Sequence, residues 1–569
     1  MLQTIRGGFE MAYLKSKTLF FTTSPRTPLK MIPEIQILHE NFEGKEWNTG
    51  TQVEFIKKLA EGSDFDGKGS EKDMAFSARD RINRAPKALG FVDLKPQIKL
   101  TEAGQNFISG KRTEEVLLRQ LLKFQLPSPY HKEPKEFEGL FYIKPYLEMF
   151  RLIYELGTIS FDELMIFGMQ LNHYKKFDSI VAEIRTYRTM KAYAKVGYKT
   201  FRGNYLKEQV EKIYKDDINE GNTKTRESRD KSVDKFVATK ARNLRDYADA
   251  CFRYLRATGM VEISQRGHSI SIMPEKRKEV EFFLSKVDRK PIYIDNEEKY
   301  KQYLFDATIP VLYSDDRSRL VEQVKEVTGQ AEGLEPHSVD TLKDILENAI
   351  ANKKEEIINK QIRELKEYKN YADVMDTFDD IKNNTLYDAP LMLEWNTWRA
   401  MTMLDGGDIK ANLKLDDKGQ PMSTAAGNMS DIVCDYGEFG LAVEVTMQSG
   451  HKQYEMEGEP VSRHLAKLKK ETGKDAYCLF IAPKINESCI AYFYALHTMN
   501  IAFYGGKSVI VPLELDVFIN MVEQSYRAGY VPNPKQVKSI FEYSMEQAKI
   551  SADENEWYAK VKEKALNWL

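Results

Sequence analysis

At 569 residues the chain is too long for one hydrophobic core, and about three or four domains are expected. An apolar content of 42%, a charged content of 30% and a formal net charge of −2 describe an ordinary globular protein and exclude a disordered, fibrous or uniformly basic one. No run approaches roughly eighteen uninterrupted apolar residues, and Arg6, Glu10, Lys15 and Lys17 interrupt the apolar N-terminus, so neither a membrane span nor a signal peptide is expected.

The first readable element is in "AFSARDRINRAPKALGFVDLKPQIKLTEAGQNF", where an amphipathic helix ends at Gly90 and strands at 91–94 and 98–100 flank a turn at Pro96. Downstream, "YLEMFRLIYELGTISFDELMIFGM" gives a helix, a turn at Gly157 and a second helix capped by Ser160 with Glu163 three residues on. The first pattern returns in "ARNLRDYADACFRYLRATGMVEISQRGHSISIMP", with a helix ending at Gly259, a strand at 261–263, a turn at Gly267 and a strand at 269–272. A helix followed by a two-stranded wing is how winged-helix DNA-binding modules are built, although plain core units also take this form. Residues 1–150 and 151–289 are therefore read as two winged-helix-like subdomains.

Charge is concentrated in the second of them. Residues 181–256 hold 19 Lys and Arg against 11 Asp and Glu, with aromatic residues interleaved in "YRTMKAYAKVGYKTFRGNY". Such a stretch suits phosphate contact, or else a solvated helical face. Arg79, Arg81 and Arg84 precede the first wing, and Arg242, Arg245, Arg253 and Arg256 precede the second. Arginine grips phosphate or guanine bidentately. Asp80, Asp246 and Asp249 compete for these groups, so about half are expected to reach DNA.

From 290 to 385 the composition turns to Lys, Glu, Asp and Leu with helical periodicity, suited to a helical linker or a dimer surface. Helices and strands then alternate from 386 to 569, the texture of an α/β domain. Cys251, Cys434, Cys478 and Cys489 show no CxxC spacing, which fits a reducing cytoplasm rather than a zinc site or a disulfide framework. In "AAGNMSDIVCDYGEFGLAVEVTMQSG", Asp435-Tyr436-Gly437 reads as a turn between two strands. A hairpin there brings Asp431 and Glu444 together, as a minimal oxygen cage for a Mg²⁺-type cation or as two solvated hairpin-end acids. A helix is expected over "GEPVSRHLAKLKKETG", with Glu457 near its start.

The motifs "SPRTP" (24–28), "NFEG" (41–44), "AFSARDR" (75–81), "LTEAG" (100–104), "EWNTW" (394–398), "AAGNMSD" (425–431), "EVT" (444–446), "EGEPVSRH" (457–464) and "CLFIAP" (478–483) occur in this order. Together they resemble the AlwI-like family of type IIS restriction endonucleases and its site-specific nicking relatives, from about residue 22 to the C-terminus. The resemblance implies a multidomain α+β protein: an N-terminal DNA-recognition region, a helical linker and a C-terminal nuclease domain of the PD-(D/E)xK type. It places Asp431 and Glu444 at the two motif acids, Glu457 at a third and Glu394 on the first core helix. Thr446 stands where the wider superfamily has lysine.

Phosphodiester hydrolysis needs an activated water and a cation on the non-bridging oxygens. The expected Mg²⁺ shell is Asp431, Glu444 and the Val445 carbonyl, with Glu457 holding a second cation or orienting the water, and Lys452 as a possible aid. His464 is the weaker catalytic candidate, since a lone helical histidine also serves as a packed or surface residue. Glu394 is equally compatible with a packed, salt-bridged acid.

Three functional readings follow. The first is a type IIS endonuclease cutting beside a short asymmetric duplex site. The second is a strand-specific nickase or the large subunit of a two-chain enzyme. The third is a non-catalytic winged-helix DNA-binding protein. Expected partners are double-stranded DNA, a transient homodimer or a separate small nuclease subunit for the second strand, and a cognate DNA methyltransferase, with no membrane.

Overall fold

The computed structural model describes residues 12–14, 16–61, 73–264, 267–330, 332–383, 385–404, 407–425, 429–529 and 531–569. The chain is a mixed α+β protein that divides into two compact units, residues 1–346 and 347–569. The division falls within the segment expected as a helical linker, inside the helix Val339–Lys366. Among the described residues no helix is long and apolar enough to cross a membrane.

The first unit contains both helix-and-hairpin patterns. After the helix Met74–Ile82 and the short Ala85–Ala88, Val92–Asp93 pairs antiparallel with Lys99–Leu100. Gly90 turns the chain at φ 78°, a conformation that disfavours any side chain. Thr101 then caps the helix Glu102–Ile108 by accepting from the Gly104 N–H at 3.0 Å.

The second pattern is larger. The helix Pro145–Leu156 leads into the strand Thr158–Ser160 and the helix Phe161–Ile166. Here the capping box reads as the sequence predicts: the Ser160 N–H donates to Glu163 Oε2 at 2.9 Å, and the Glu163 N–H to Ser160 Oγ at 3.2 Å. Two helices, Phe177–Ala192 and Tyr198–Ile213, intervene before the long helix Val233–Arg256. Val261–Ser264 and Ser269–Ile272 follow as an antiparallel pair, and Thr158–Ser160 adds to the other edge of the latter.

The second unit is built on a five-stranded sheet. Helix α1 (Ala389–Leu404) is buried along almost its whole length, its polar residues Glu394, Asn396, Thr397, Arg399 and Thr402 included. Strands β1 (Asp408–Ala411), β2 (Ile432–Asp435) and β3 (Phe439–Val445) run antiparallel to one another in turn. Helix α2 (His451–Thr472) crosses to β4 (Asp475–Ala482), and helix α3 (Glu487–Thr498) leads to β5 (Ile510–Glu514), so that β3, β4 and β5 are parallel. The strand order is β5-β4-β3-β2-β1. Parallel strands require such helical crossovers, and the interior strands are correspondingly buried along most of their length. Trp398, Leu441, Phe480, Phe518 and Trp557 belong to one continuous core.

Helix α2 begins at His451, seven residues before the predicted start, and takes Pro460 into its interior. Proline suits the first turn of a helix, which is why the sequence points to the later start. Gln453 explains the earlier one: its buried amide donates to the carbonyls of Gln448 and Lys484 and accepts the Asn486 N–H, fixing the first turn against the loop after β4.

Gly104→Ala is expected to destabilise the first unit by about 3 kcal/mol, because the new methyl carbon would lie 2.0 Å from the backbone oxygen of Phe91. A lowered urea midpoint for that unit would register it, and an unchanged midpoint would contradict it.

Candidate active site

The local sequence creates the site by forcing a tight reversal. Asp435 Oδ1 accepts the Gly437 N–H at 2.8 Å, the Tyr436 N–H donates to the Phe439 carbonyl at 3.0 Å, and Gly437 adopts φ 82°. This turn sets the β2–β3 register, with Ile432 opposite Val443 and Asp435 opposite Gly440. One step beyond Ile432, Asp431 faces Glu444. The Val445 N–H donates to Asp431 Oδ2 at 2.7 Å, which tethers the acid to the next strand.

Two helices complete the group. On the face of β3 that carries Glu444, Gly440 and Ala442 are small, and helix α2 lies close: a methyl at Gly440 would stand 3.4 Å from Leu468 Cδ2. Glu457 and His464 lie seven residues apart on α2, and so share a side of the helix. His464 Nδ1 is 2.9 Å from Glu444 Oε1. From α1, Glu394, only 3% exposed, accepts the Ala425 N–H at 2.8 Å through Oε1. Glu394 is packed, and among the described residues it has no ion pair. The "AAGN" part of the motif before Asp431 lies largely outside the described residues.

The electrostatics are those of a crowded acid cluster. Burial pushes Asp431 well above the usual carboxylate range, and the neighbouring Glu444 and Glu457 add to the rise against the Val445 N–H. Burial and then Asp431 do the same to Glu394. Glu444 is raised by burial and by Glu457, opposed by the Ser430 hydroxyl. Glu457 is raised by burial, opposed by the Thr446 hydroxyl and His464. Burial, helped by Arg463, lowers His464 to about 4, which favours a neutral ring beside Glu444. Among the described residues no lysine or arginine pairs with any of the four acids.

Carboxylate oxygens gathered without a protein cation suit a hard divalent ion such as Mg²⁺. Among the described residues no three His, Cys, Asp or Glu side chains already converge tightly enough to form a cage. The acids have other engagements: Asp431 holds Val445, Glu394 holds Ala425 and Glu444 meets His464. For Val445 the N–H is the group engaged. The Thr446 hydroxyl accepts the Gln448 N–H at 3.0 Å, and Lys452 is exposed. Ser430, which bears on Glu444, escaped sequence reasoning because a serine before an aspartate carries no distinctive signal.

The seven arginines fare differently. Arg79 donates to Gln52 at 2.8 Å, Arg81 to the buried Glu34 at 2.5 Å, and Arg84 pairs with Asp80 at 2.5 Å. Arg253 pairs with Asp249 at 3.2 Å, whereas Asp246 is taken by Arg26 at 3.0 Å. Arg256 is only 2% exposed, on the part of its helix that enters the core. Arg242 and Arg245 are exposed, and neither has an ion pair among the described residues.

Residues 87–521 match the family described as AlwI restriction endonuclease. Among solved structures, the chain is similar to the small subunit (R.BspD6I2) of the heterodimeric restriction endonuclease R.BspD6I, at 28% identity over 34% of this chain and 98% of that one, with a TM-score of 0.29. It is also similar to the BpuJ1 endonuclease binding domain, solved in complex with pyrene- and phenanthrene-modified DNA, at 13% identity over 48% of this chain and 89% of that one, with a TM-score of 0.32. No curated protein matches.

The raised carboxyls bind more protons folded than unfolded, so the metal-free protein is expected to lose stability as pH rises above the ordinary carboxylate range of about 4. Asp431→Asn keeps an acceptor for Val445 and removes one buried charge. In the presence of chelator it is expected to gain about 1 kcal/mol near pH 8, roughly 2–4 °C in melting temperature, and much less near pH 4. A gain equal at both pH values would contradict the electrostatic origin.

Proposed function

Because the chain belongs to the AlwI restriction endonuclease family, we propose that it is a type IIS enzyme, reading a short asymmetric duplex site and hydrolysing DNA a few base pairs to one side. The observation that supports this reading is the pairing of Asp431 with Glu444 across one hairpin, with Glu394 and Glu457 brought beside them from two helices. In this reading the second unit is a PD-(D/E)xK nuclease core, and Asp431, Glu444 and the Val445 carbonyl hold Mg²⁺. Held there, such an ion would supply positive charge at the scissile phosphate and make a water easier to deprotonate.

The chain's own groups divide the remaining work. The Val445 N–H and the His464 ring fix the orientations of Asp431 and Glu444. Thr446, in the superfamily's lysine position, has a hydroxyl that does not serve as a base near neutral pH, so orienting the water falls to Glu457 beside it. Glu394 holds Ala425, at the start of the "AAGNMSD" motif, through its backbone N–H.

Recognition falls to the first unit. Its order of helix, strand, helix, long helix and two paired strands, from Pro145 to Ile272, supports reading it as a winged-helix module with a helical insertion. Arg242 and Arg245, exposed on the long helix, are the proposed duplex contacts.

A strand-specific nickase is the second reading, favoured by the single acid cluster that the described residues of the second unit contain. One cluster attacks one phosphate at a time, and the two strands run in opposite directions. A second nuclease domain, from another copy or from a separate subunit, is needed for the other strand.

Asp431→Ala or Glu444→Ala is expected to reduce plasmid cleavage in Mg²⁺ below a few per cent of wild type, while binding to the site in chelator stays within about twofold. Retained cleavage by either variant would remove these acids from the mechanism, and binding without cleavage by the wild-type chain would favour the non-catalytic reading.

For strand choice, nicked circles are expected to form at a rate first order in enzyme, and linear DNA at a steeper order. Arrest at open circle at every enzyme concentration would instead identify a nickase or a large subunit. Linear product from a proven monomer, with no nicked intermediate, would defeat the counting argument.

A further inference from the structure

Between the second helix and the long helix of the proposed winged-helix module stands a helical hairpin, Phe177–Ala192 and Tyr198–Ile213, joined at residues 193–197. From Arg188 to Arg202 the sequence carries five basic residues and no acid. The outermost two of these are spoken for. Arg188 donates to Glu163 at 2.7 and 2.9 Å, and Arg202 lies 3.6 Å from Asp162, which also accepts the Tyr198 hydroxyl. Glu163 and Asp162 both belong to the helix Phe161–Ile166, so the base of the hairpin is clamped to the module.

The tip is different. Lys191, Lys195 and Lys199 are exposed, and among the described residues none is ion-paired to an acid; Lys191 stands 4.2 Å from the centre of the Tyr198 ring. Between them Tyr193 is 82% exposed, Val196 52% and Met190 46%. A polar loop has no need of three large apolar side chains in water, and a clamped base holds them out rather than letting them fold back.

Apolar side chains ringed by unneutralised lysines match one kind of surface closely. In the minor groove of duplex DNA, sugar walls and base steps accept an apolar wedge, and a row of phosphates borders each side. We propose that residues 190–199 form a minor-groove wedge, in which Tyr193 enters the groove and bends the duplex while Lys195 and Lys199 hold the flanking phosphates. This rests on the DNA-cleaving reading given above, and adds a point of attachment and a deformation to it.

The test uses the full-length protein in chelator and a fluorescent duplex containing the cleavage site mapped on plasmid DNA. Tyr193→Ala is expected to weaken binding about tenfold, leave the salt dependence unchanged and reduce the bend seen by energy transfer between the duplex ends, whereas Tyr193→Phe keeps all three. Lys195→Ala with Lys199→Ala is expected to lower the slope of log affinity against log salt by about 0.9 for each phosphate no longer neutralised. Wild-type affinity, slope and bend in all these variants, with wild-type melting curves, would overturn the wedge while leaving the endonuclease reading intact. Absence of site binding and cleavage in the wild-type chain would instead overturn the endonuclease reading. Binding of the protein to anionic phospholipid vesicles in preference to DNA, abolished by Tyr193→Ala, would also overturn the wedge.

Discussion

Asp431 and Glu444 are held together by the hydrogen-bond ladder between β2 and β3, and Glu394 and Glu457 join them from helices α1 and α2. Left to themselves, buried like charges separate or take up protons. Here Asp431 and Glu444 are fixed by backbone pairing, whose strength does not depend on what the side chains prefer. The cost of that confinement appears as carboxyls raised far above their ordinary range. The surrounding core, from Trp398 to Phe480, supplies the apolar burial that keeps the arrangement from relaxing.

Local chemistry was the legible part of this fold. The turn at Asp435–Gly437 and the alternation of Gly440–Thr446 were enough to bring Asp431 opposite Glu444, because a hairpin's register is set by its own few residues. The Ser160–Glu163 capping box was equally readable, since both of its hydrogen bonds lie within four residues. Contacts between distant segments were not. His464 reads as an ordinary helical histidine because Glu444, its partner, is twenty residues away across a crossover. Pro460 reads as a helix start because Gln453, which anchors the earlier turn, does so through Lys484 and Asn486.

The arginines illustrate the same limit. From sequence, Arg242, Arg245, Arg253 and Arg256 form one stripe at helical spacing. Only the packing separates the exposed pair from Arg253, which is engaged by Asp249, and Arg256, which is buried. Periodicity identifies a helical face, but whether that face meets water or protein changes along the length of a long helix.

The parallel half of the sheet has a consequence for how the protein comes into being. The β2–β3 hairpin joins residues about ten apart, but Glu444 pairs with Phe480, and Cys478 with Ile510, across whole helices. Pairings of such long range form late, after local helices and hairpins. During synthesis the first unit emerges and can fold while helix α2 and the later strands that complete the second unit have yet to leave the ribosome. The acids of the nascent hairpin are then wet and ordinarily ionised, and they acquire their strained character only when helix α2 and the later strands complete the core around them. The strained acids of the second unit are therefore among the last parts of the chain to take shape, a timing set by the topology of one sheet.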